Sequence, residues 1–133
     1  MAFKDADEVR KYLGGVFETA FADPELGPKL RDTGIQLKTV YTEPDTALVI
    51  DTVSGTVRVA AEGEETSAEM VMSADTGNAY WQGKVNLPLA MAKSRIKVNG
   101  NVASLLKLAP LGKKLYPAYI EALKADGRDD LLV

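Results

Sequence analysis

The side chains that could carry chemistry in this sequence are carboxylates, hydroxyls and amines, because its 133 residues include no histidine and no cysteine. Those two absences exclude imidazole general bases, thiolate nucleophiles, disulfides and the usual zinc sites. The densest carboxylate group, Glu62, Glu64 and Glu65, falls at a predicted hairpin tip. A solvated turn explains that group better than an acid–base pair does, so we expect no enzymatic activity, no metal site and no cofactor.

Lys93, Arg95 and Lys97 form a cationic group beside an apolar segment, with Lys84 a short distance upstream. This group has two explanations. It can be the solvated face of a strand, or it can be a positive mouth that binds the carboxylate or phosphate head group of an otherwise apolar ligand. Under the second explanation Lys93, Arg95 and Lys97 are the head-group candidates.

Three of the four methionines, Met70, Met72 and Met91, lie in predicted core elements. The methionine side chain is flexible and fills irregular space, so core filling is the simpler explanation. Methionine together with leucine and aromatic residues on short helices also suits a deformable apolar cavity. The residues themselves leave both explanations open.

Residues 81–108 combine dense apolar sequence with these cations. A proline suited to the first turn opens a short helix, and Ile96 and Val98 then alternate with polar residues as in a half-buried strand. Asn99-Gly100 predicts a turn, and Asn101 is a suitable N-cap for a second apolar helix. We therefore expect a helix, a strand and a helix here, and we expect the binding site among them.

The preceding residues predict one helix and four strands. Residues 5–22 place apolar side chains at steps of three and four, as in an amphipathic helix. Gly14-Gly15 inside that pattern indicates either close approach of the helix to a sheet or simple tolerance. Residues 35–73 alternate with a period of two in four segments separated by tight turns. Because parallel pairing needs longer crossovers, we expect these strands to form an antiparallel meander.

Further helices are predicted around the fifth strand. Residues 73–81 predict a short helix, and residues 111–123 carry an apolar stripe that Pro117 should kink or split. Residues 128–133 should fray unless they pack. The order of elements predicts one α+β domain spanning residues 1–133, with a five-stranded, mainly antiparallel sheet and helices on one face.

Charge and hydropathy restrict the partners and the location of the protein. The net charge is −3 and no basic block is present, so nucleic-acid binding is not expected. The sequence has neither an 18-residue apolar stretch nor a signal-peptide pattern, which predicts a cytoplasmic protein. A monomer is favoured, although the sequence does not determine the oligomeric state.

A series of motifs resembles the sterol carrier protein 2 (SCP2) family. In order, the chain contains Gly83-Lys84-Val85-Asn86, an apolar helix, the basic strand Arg95-Ile96-Lys97-Val98-Asn99-Gly100-Asn101, and Leu105-Leu106-Lys107-Leu108. The strand end Met70-Val71-Met72-Ser73-Ala74-Asp75 also matches the family pattern, and the order of elements agrees from about residue 5 to residue 123. The chain departs from the pattern at Met91-Ala92-Lys93-Ser94, where family members often have bulky aromatic residues and a Gln-Gly pair.

The resemblance implies a hydrophobic tunnel between sheet and helices that binds a fatty acid, fatty acyl-CoA, sterol or phospholipid without chemistry. Transient membrane contact is expected during exchange, with the segment after Pro117 as a lid. An accessory interaction or dimerisation module for a lipid- or quinone-pathway assembly is the alternative. We draw the expected tunnel lining from the following apolar residues of the chain: Met70, Met72, Trp81, Leu87, Leu89, Met91, Ile96, Val98, Leu105, Leu106 and Leu108.

Overall fold

A computed structural model of the chain describes residues 2–133. The strands are β1 (Gln36–Thr42), β2 (Thr46–Asp51), β3 (Thr56–Val59), β4 (Ala68–Ser73) and β5 (Ile96–Gly100). The α-helices of these residues are α1 (Ala6–Val9), α2 (Gly15–Ala22), α3 (Leu26–Thr33), α4 (Ala74–Tyr80), α5 (Leu87–Ala92), α6 (Val102–Gly112) and α7 (Tyr116–Ala125). A π-helical turn, Arg10–Gly14, joins α1 to α2, and Lys113–Leu115 and Asp129–Leu131 are 3-10 turns. No helix within residues 2–133 is long and apolar enough to cross a membrane.

The five strands form one sheet in the order β3-β2-β1-β4-β5. The pairings β1–β2, β2–β3 and β4–β5 are antiparallel, and β1–β4 is parallel. This sheet confirms the predicted α+β fold with five mainly antiparallel strands. The predicted four-strand meander is wrong at its last strand, because β4 pairs with β1 and not with β3.

The link between β3 and β4, residues 60–67, explains this difference. Eight extended residues reach about 26 Å, whereas the four-residue β3 is only about 13 Å long. The chain can therefore return across the outer face of the sheet without a crossover helix. Lys38 Nζ donates to the Glu64 carbonyl oxygen at 2.9 Å, and Glu64 also pairs with Arg58. Ser67 Oγ donates to the Gln36 carbonyl oxygen at 3.2 Å, which holds the end of the link.

The inner face of the sheet forms one side of the hydrophobic core. Leu37, Thr39 and Tyr41 of β1 point to this face, and none of them is more than 3% exposed. Val49 of β2 lies on the outer face and is nevertheless fully buried, which agrees with the unbroken apolar sequence of that strand. The helices cover the inner face, because its apolar side chains must be buried against another layer.

The first helix approaches the sheet closely at one glycine. A Cβ on Gly14 would lie 3.4 Å from Leu48 Cδ1 and 3.5 Å from Val57 Cγ1, in the space between helix and sheet. A Cβ on the next residue, Gly15, would meet nothing within 4 Å. Close approach therefore explains Gly14, and simple tolerance explains Gly15.

Side-chain caps determine where three of the later helices begin. The side chains of Ser73, Asn86 and Asn101 each accept a hydrogen bond from the backbone N–H three residues further on, at 3.0 to 3.1 Å. Each such cap stabilises its helix by about 1 kcal/mol. These local bonds position α4, α5 and α6 around β5.

The C-terminal segment is docked into the core. Pro117 lies in the first turn of α7, where its missing N–H is tolerated, and the helical break precedes it in the 3-10 turn. Leu123 and Leu131 are fully buried. The Leu131 carbonyl oxygen accepts hydrogen bonds from Asn78 Nδ2 at 2.8 Å and from Gln82 Nε2 at 2.9 Å. Residues 128–133 are therefore packed and do not form a frayed end.

Candidate functional site: an apolar cavity between sheet and helices

An apolar cavity lies between the inner face of the sheet and the helices. About 980 Å³ of space not filled by protein atoms lies in and around it, including the open space at its mouth. The described residues that line it are Phe17, Ala20, Phe21, Leu26, Leu30, Leu37, Thr39, Tyr41, Ile50, Thr52, Met70, Met72, Tyr80, Trp81, Leu87, Met91, Val98, Val102, Leu105, Leu106, Leu108, Ala109, Leu111, Gly112 and Leu115. None of these side chains is charged.

Nine of the eleven predicted lining residues lie at the cavity surface. They are Met70, Met72, Trp81, Leu87, Met91, Val98, Leu105, Leu106 and Leu108. Leu89 is 52% exposed, because it lies two residues from the inward-facing Leu87 and so on another side of α5. Ile96 is 1% exposed and belongs to the closed core, not to the cavity lining.

The aromatic and aliphatic walls contributed by α2 and α3 were not among the predicted lining residues. Phe17 and Phe21 of α2 and Leu26 and Leu30 of α3 face the cavity. The apolar stripe of the first helix includes both phenylalanines, so the sequence marks them as buried. Periodicity identifies a buried face but not whether that face meets protein or empty space, and the distinction appears only in the folded chain.

Trp81 lies at the centre of an aromatic cluster in the cavity wall. Its ring makes edge-to-face contacts with Phe17 at 5.4 Å, Tyr80 at 5.2 Å and Tyr116 at 6.1 Å between centroids. A Cβ on Gly112 would lie 3.4 Å from the indole, so the end of α6 passes directly over it. Burial raises the pKa of the Tyr80 phenol above its ordinary value, and the ring stays neutral. This cluster connects α2, α4, α6 and α7 at one wall.

Two buried threonines in the cavity differ in their hydrogen bonding. Thr52 Oγ1 donates to the Ile35 carbonyl oxygen at 2.6 Å. Thr39 is only 2% exposed, and its hydroxyl makes no hydrogen bond of ordinary geometry with the described residues. Burial raises the pKa of the nearby Tyr41 phenol to about 12, and the interaction of this phenol with the Thr39 hydroxyl opposes that rise. These hydroxyls are neutral polar groups in an otherwise apolar wall.

The predicted head-group candidates Lys93, Arg95 and Lys97 are exposed and do not line the cavity. Lys97 lies on the outer face of β5, because it alternates with the inward-facing Val98. The structure therefore places Lys97 on the other side of the sheet from the cavity. The role of Lys93 and Arg95 in binding a head group stays a prediction.

These cations belong to a larger region of one charge. Residues 76–120 contain seven lysine and arginine residues and no acidic residue, while the rest of the chain contains nine cations and nineteen acids. The net charge of −3 therefore combines +7 in this region with −10 elsewhere. Among the described residues, the one ion pair formed by these seven cations joins Lys114 to Glu25 at 3.2 Å. No group of acidic residues in residues 2–133 could hold a metal ion.

Residues 16–113 match the family model described as the SCP-2 sterol transfer family. The sterol carrier protein domain 2 of Helicoverpa armigera is 22% identical, with a TM-score of 0.66 over 83% of this chain and 89% of that one. Sterol carrier protein 2 of Yarrowia lipolytica is 14% identical, with a TM-score of 0.66 over 87% and 98%. Sterol carrier protein 2 of Aedes aegypti, solved with palmitate, is 20% identical, with a TM-score of 0.57 over 80% and 92%. A search of curated proteins found no relative.

Proposed function

Because the chain belongs to the SCP-2 sterol transfer family, we propose that it binds a hydrophobic ligand in the cavity and transfers it within the cell, without catalysing a reaction. The ligand is a fatty acid, fatty acyl-CoA, sterol or phospholipid. The observation that carries this proposal is the cavity itself, whose lining is uncharged throughout and mainly aliphatic and aromatic. The Aedes relative with palmitate supports an acyl chain as one suitable occupant.

The energetics favour a long hydrocarbon ligand. Burying one methylene contributes about 0.8 kcal/mol, so a chain of fourteen methylenes gains about 11 kcal/mol. Association costs at least about 4 kcal/mol of lost translational and rotational freedom. A chain of fourteen methylenes therefore leaves a surplus of at most about 7 kcal/mol, whereas a chain of five methylenes gains only about the minimum cost and should bind weakly.

The first experiment identifies the ligand. Native mass spectrometry of the purified protein should show a lipid adduct, and organic extraction should release one lipid class. Added fatty acid with a fluorescent label should bind with one-to-one stoichiometry. A protein that carries no adduct and does not respond to any of the four lipid classes would exclude the proposed function and favour the interaction-module alternative.

We also propose that the protein exchanges its ligand at anionic membranes through α5 and α6. Six of the seven cations in residues 76–120, among them Lys93 at the end of α5 and Lys107 in α6, have no ion-pair partner among the described residues. Leu89 and Leu106 are 52% and 48% exposed on the same segment, and Leu106 also lines the cavity. A basic residue close to an anionic bilayer contributes about 1 kcal/mol, and exposed leucines can enter the interface.

Ligand transfer to phosphatidylserine vesicles tests this surface. The double variant Lys93→Glu/Lys107→Glu should slow transfer at least tenfold, since each reversal replaces an attraction of about 1 kcal/mol by a repulsion. The control Arg10→Glu/Lys124→Glu changes the net charge equally outside the region and should transfer normally. Salt should slow the wild-type protein, because the Debye length shortens. Equal slowing by both double variants would assign the effect to net charge alone.

A further inference from the structure

A second open space, called here the groove, lies between α2 and α7. Gly15, Val16 and Thr19 of α2 line one side of the groove, and Ala118 and Ala122 of α7 line the other. About 550 Å³ of space not filled by protein atoms lies in and around it, including open solvent. A Cβ on Gly15 would meet nothing within 4 Å, so the small side chains leave room for further hydrocarbon.

Leu115 separates the groove from the apolar cavity. Among residues 2–133 it is the one residue that lines both spaces. It is 6% exposed and lies in the 3-10 turn between α6 and α7. The other part of the partition is α2, whose Phe17 faces the cavity and whose Val16 faces the groove. The Leu115 side chain is therefore the part of the partition that one substitution can remove.

The cavity opens to solvent at some distance from Leu115. Leu106 is the most exposed residue of the lining, at 48%, and so marks the mouth. Leu115 follows nine residues later, about 14 Å along a helix axis. An ionised head group inside the uncharged lining would lose its hydration without compensation, so it stays at the mouth. A single hydrocarbon chain therefore enters with its methyl end first and meets Leu115 at the inner end.

We infer that Leu115 sets the length of hydrocarbon chain that the cavity accepts. This inference rests on the proposed function, and it selects single-chain lipids whose methyl end stops against Leu115. Longer chains leave their additional methylenes in water at the mouth. Because those methylenes are not removed from water, they contribute nothing to binding.

The groove beyond Leu115 is the space that this side chain closes off. Val16 and the two alanines of α7 give the groove apolar walls. Asp126 follows α7 and forms a polar end, because its carboxylate pairs with Lys11 Nζ at 3.2 Å and accepts a hydrogen bond from the Tyr12 hydroxyl at 3.0 Å. A hydrocarbon chain that reached these groups would remove them from water, which is unfavourable. Removing the Leu115 side chain should therefore lengthen the accepted chain by a limited amount.

The saturated fatty acids from decanoic to eicosanoic acid, taken in steps of two methylenes, test this inference. Trp81 is the single tryptophan of the sequence and lies in the cavity wall, so its fluorescence reports binding without a label. Each added methylene should strengthen binding to the wild-type protein about fourfold up to a limiting acid, beyond which the affinity stays constant. The next acid, two methylenes longer, should bind to Leu115→Ala about 15-fold more tightly than the limiting acid does, whereas the wild-type protein binds both equally.

Gly15→Leu is the matched control, because the leucine fills the groove without touching the cavity. Gly15 has helical backbone angles, and leucine favours a helix more than glycine does, so the variant should fold. In the otherwise wild-type protein it should leave the affinity for every acid unchanged. In the Leu115→Ala background it should abolish the preference for the longer acid, because that preference requires a chain in the groove.

The outcomes separate this inference from the proposed function. If Leu115→Ala does not fold, Leu115→Val removes only one methylene and should show the same shift at about fourfold. A folded Leu115 variant with the wild-type limiting acid would overturn the inference and leave lipid binding intact. A wild-type affinity that rises through the whole series, or that falls in Gly15→Leu, would overturn it as well, because the chain would then not stop at Leu115. A wild-type protein that binds none of the four lipid classes would overturn the proposed function.

Discussion

Filling the cavity from α6 should block ligand binding without unfolding the protein. Ala109 lines the cavity on the same helical stripe as Val102 and Leu105, and it is half-buried. In Ala109→Phe the added phenyl ring enters apolar space that the ligand would otherwise use. Because that space is empty in the folded chain, the ring should not displace the core.

The size of the effect follows from the excluded hydrocarbon. A phenyl ring occupies about the volume of four methylenes, and each buried methylene contributes about 0.8 kcal/mol, so about 3 kcal/mol of binding free energy is lost. That loss corresponds to a dissociation constant raised by about 150-fold. The thermal unfolding temperature should stay at the wild-type value or rise, since the ring buries new apolar area.

The assay is displacement of a fluorescent fatty acid, with Ala103→Phe as the matched control. Ala103 lies on the same helix but is exposed, so its substitution introduces the same side chain and leaves the cavity open. The control should bind as wild type does. A folded Ala109→Phe protein with wild-type affinity would refute the assignment of this cavity as the ligand site.

Three further predictions concern stability. Leu131→Ala should destabilise the fold by about 2 to 5 kcal/mol in urea unfolding, because Leu131 is fully buried; a faster ligand off-rate at unchanged stability would support the lid instead. Gly100→Ala should lower the free energy of unfolding by well over the 1 to 2 kcal/mol that a left-handed backbone conformation costs. The reason is that the new Cβ would overlap the carbonyl oxygen of Ser67, the residue before β4. Gly127 also has a positive φ but lies in open space, so Gly127→Ala should lower the free energy of unfolding by that 1 to 2 kcal/mol alone. Equal losses of stability in the two variants would contradict the overlap at Gly100. The hydrogen bonds that Glu64 accepts from Arg58 and from a backbone N–H lower its pKa to about 2. The stability that these bonds contribute is fully present above about pH 4.5 and should be lost as the pH falls toward 2. Glu64→Gln should flatten that part of the pH–stability profile.

The sequence was informative about local structure because helices and strands have their own periods. The caps at Ser73 and Asn101 and the strands β1, β2 and β5 follow from residues close together in the chain. The C-terminal stripe was correctly expected to be interrupted, although the break precedes Pro117. The cavity lining includes residues of α6 and none of α7, and the role of the C-terminal segment as a lid stays a prediction.

Strand pairing could not be read from local pattern alone. The expected meander assumed that neighbouring strands joined by short links must pair with each other. Residues 60–67 instead return over the outer face, held by the bonds that Lys38 and Gln36 make across the sheet. Those bonds join residues 26 and 31 positions apart, and no period in the sequence reports them.

The same limit applies to the cavity. The sequence by itself determined that this protein lacks imidazole and thiol chemistry, that its helices and strands form an α+β fold, and which side chains are apolar enough to be buried. The tertiary structure decided which of those side chains face empty space and that Leu89 and Ile96 do not. The physical reason is that amphipathicity is a property of one element, whereas a cavity exists only where several elements fail to fill the space between them.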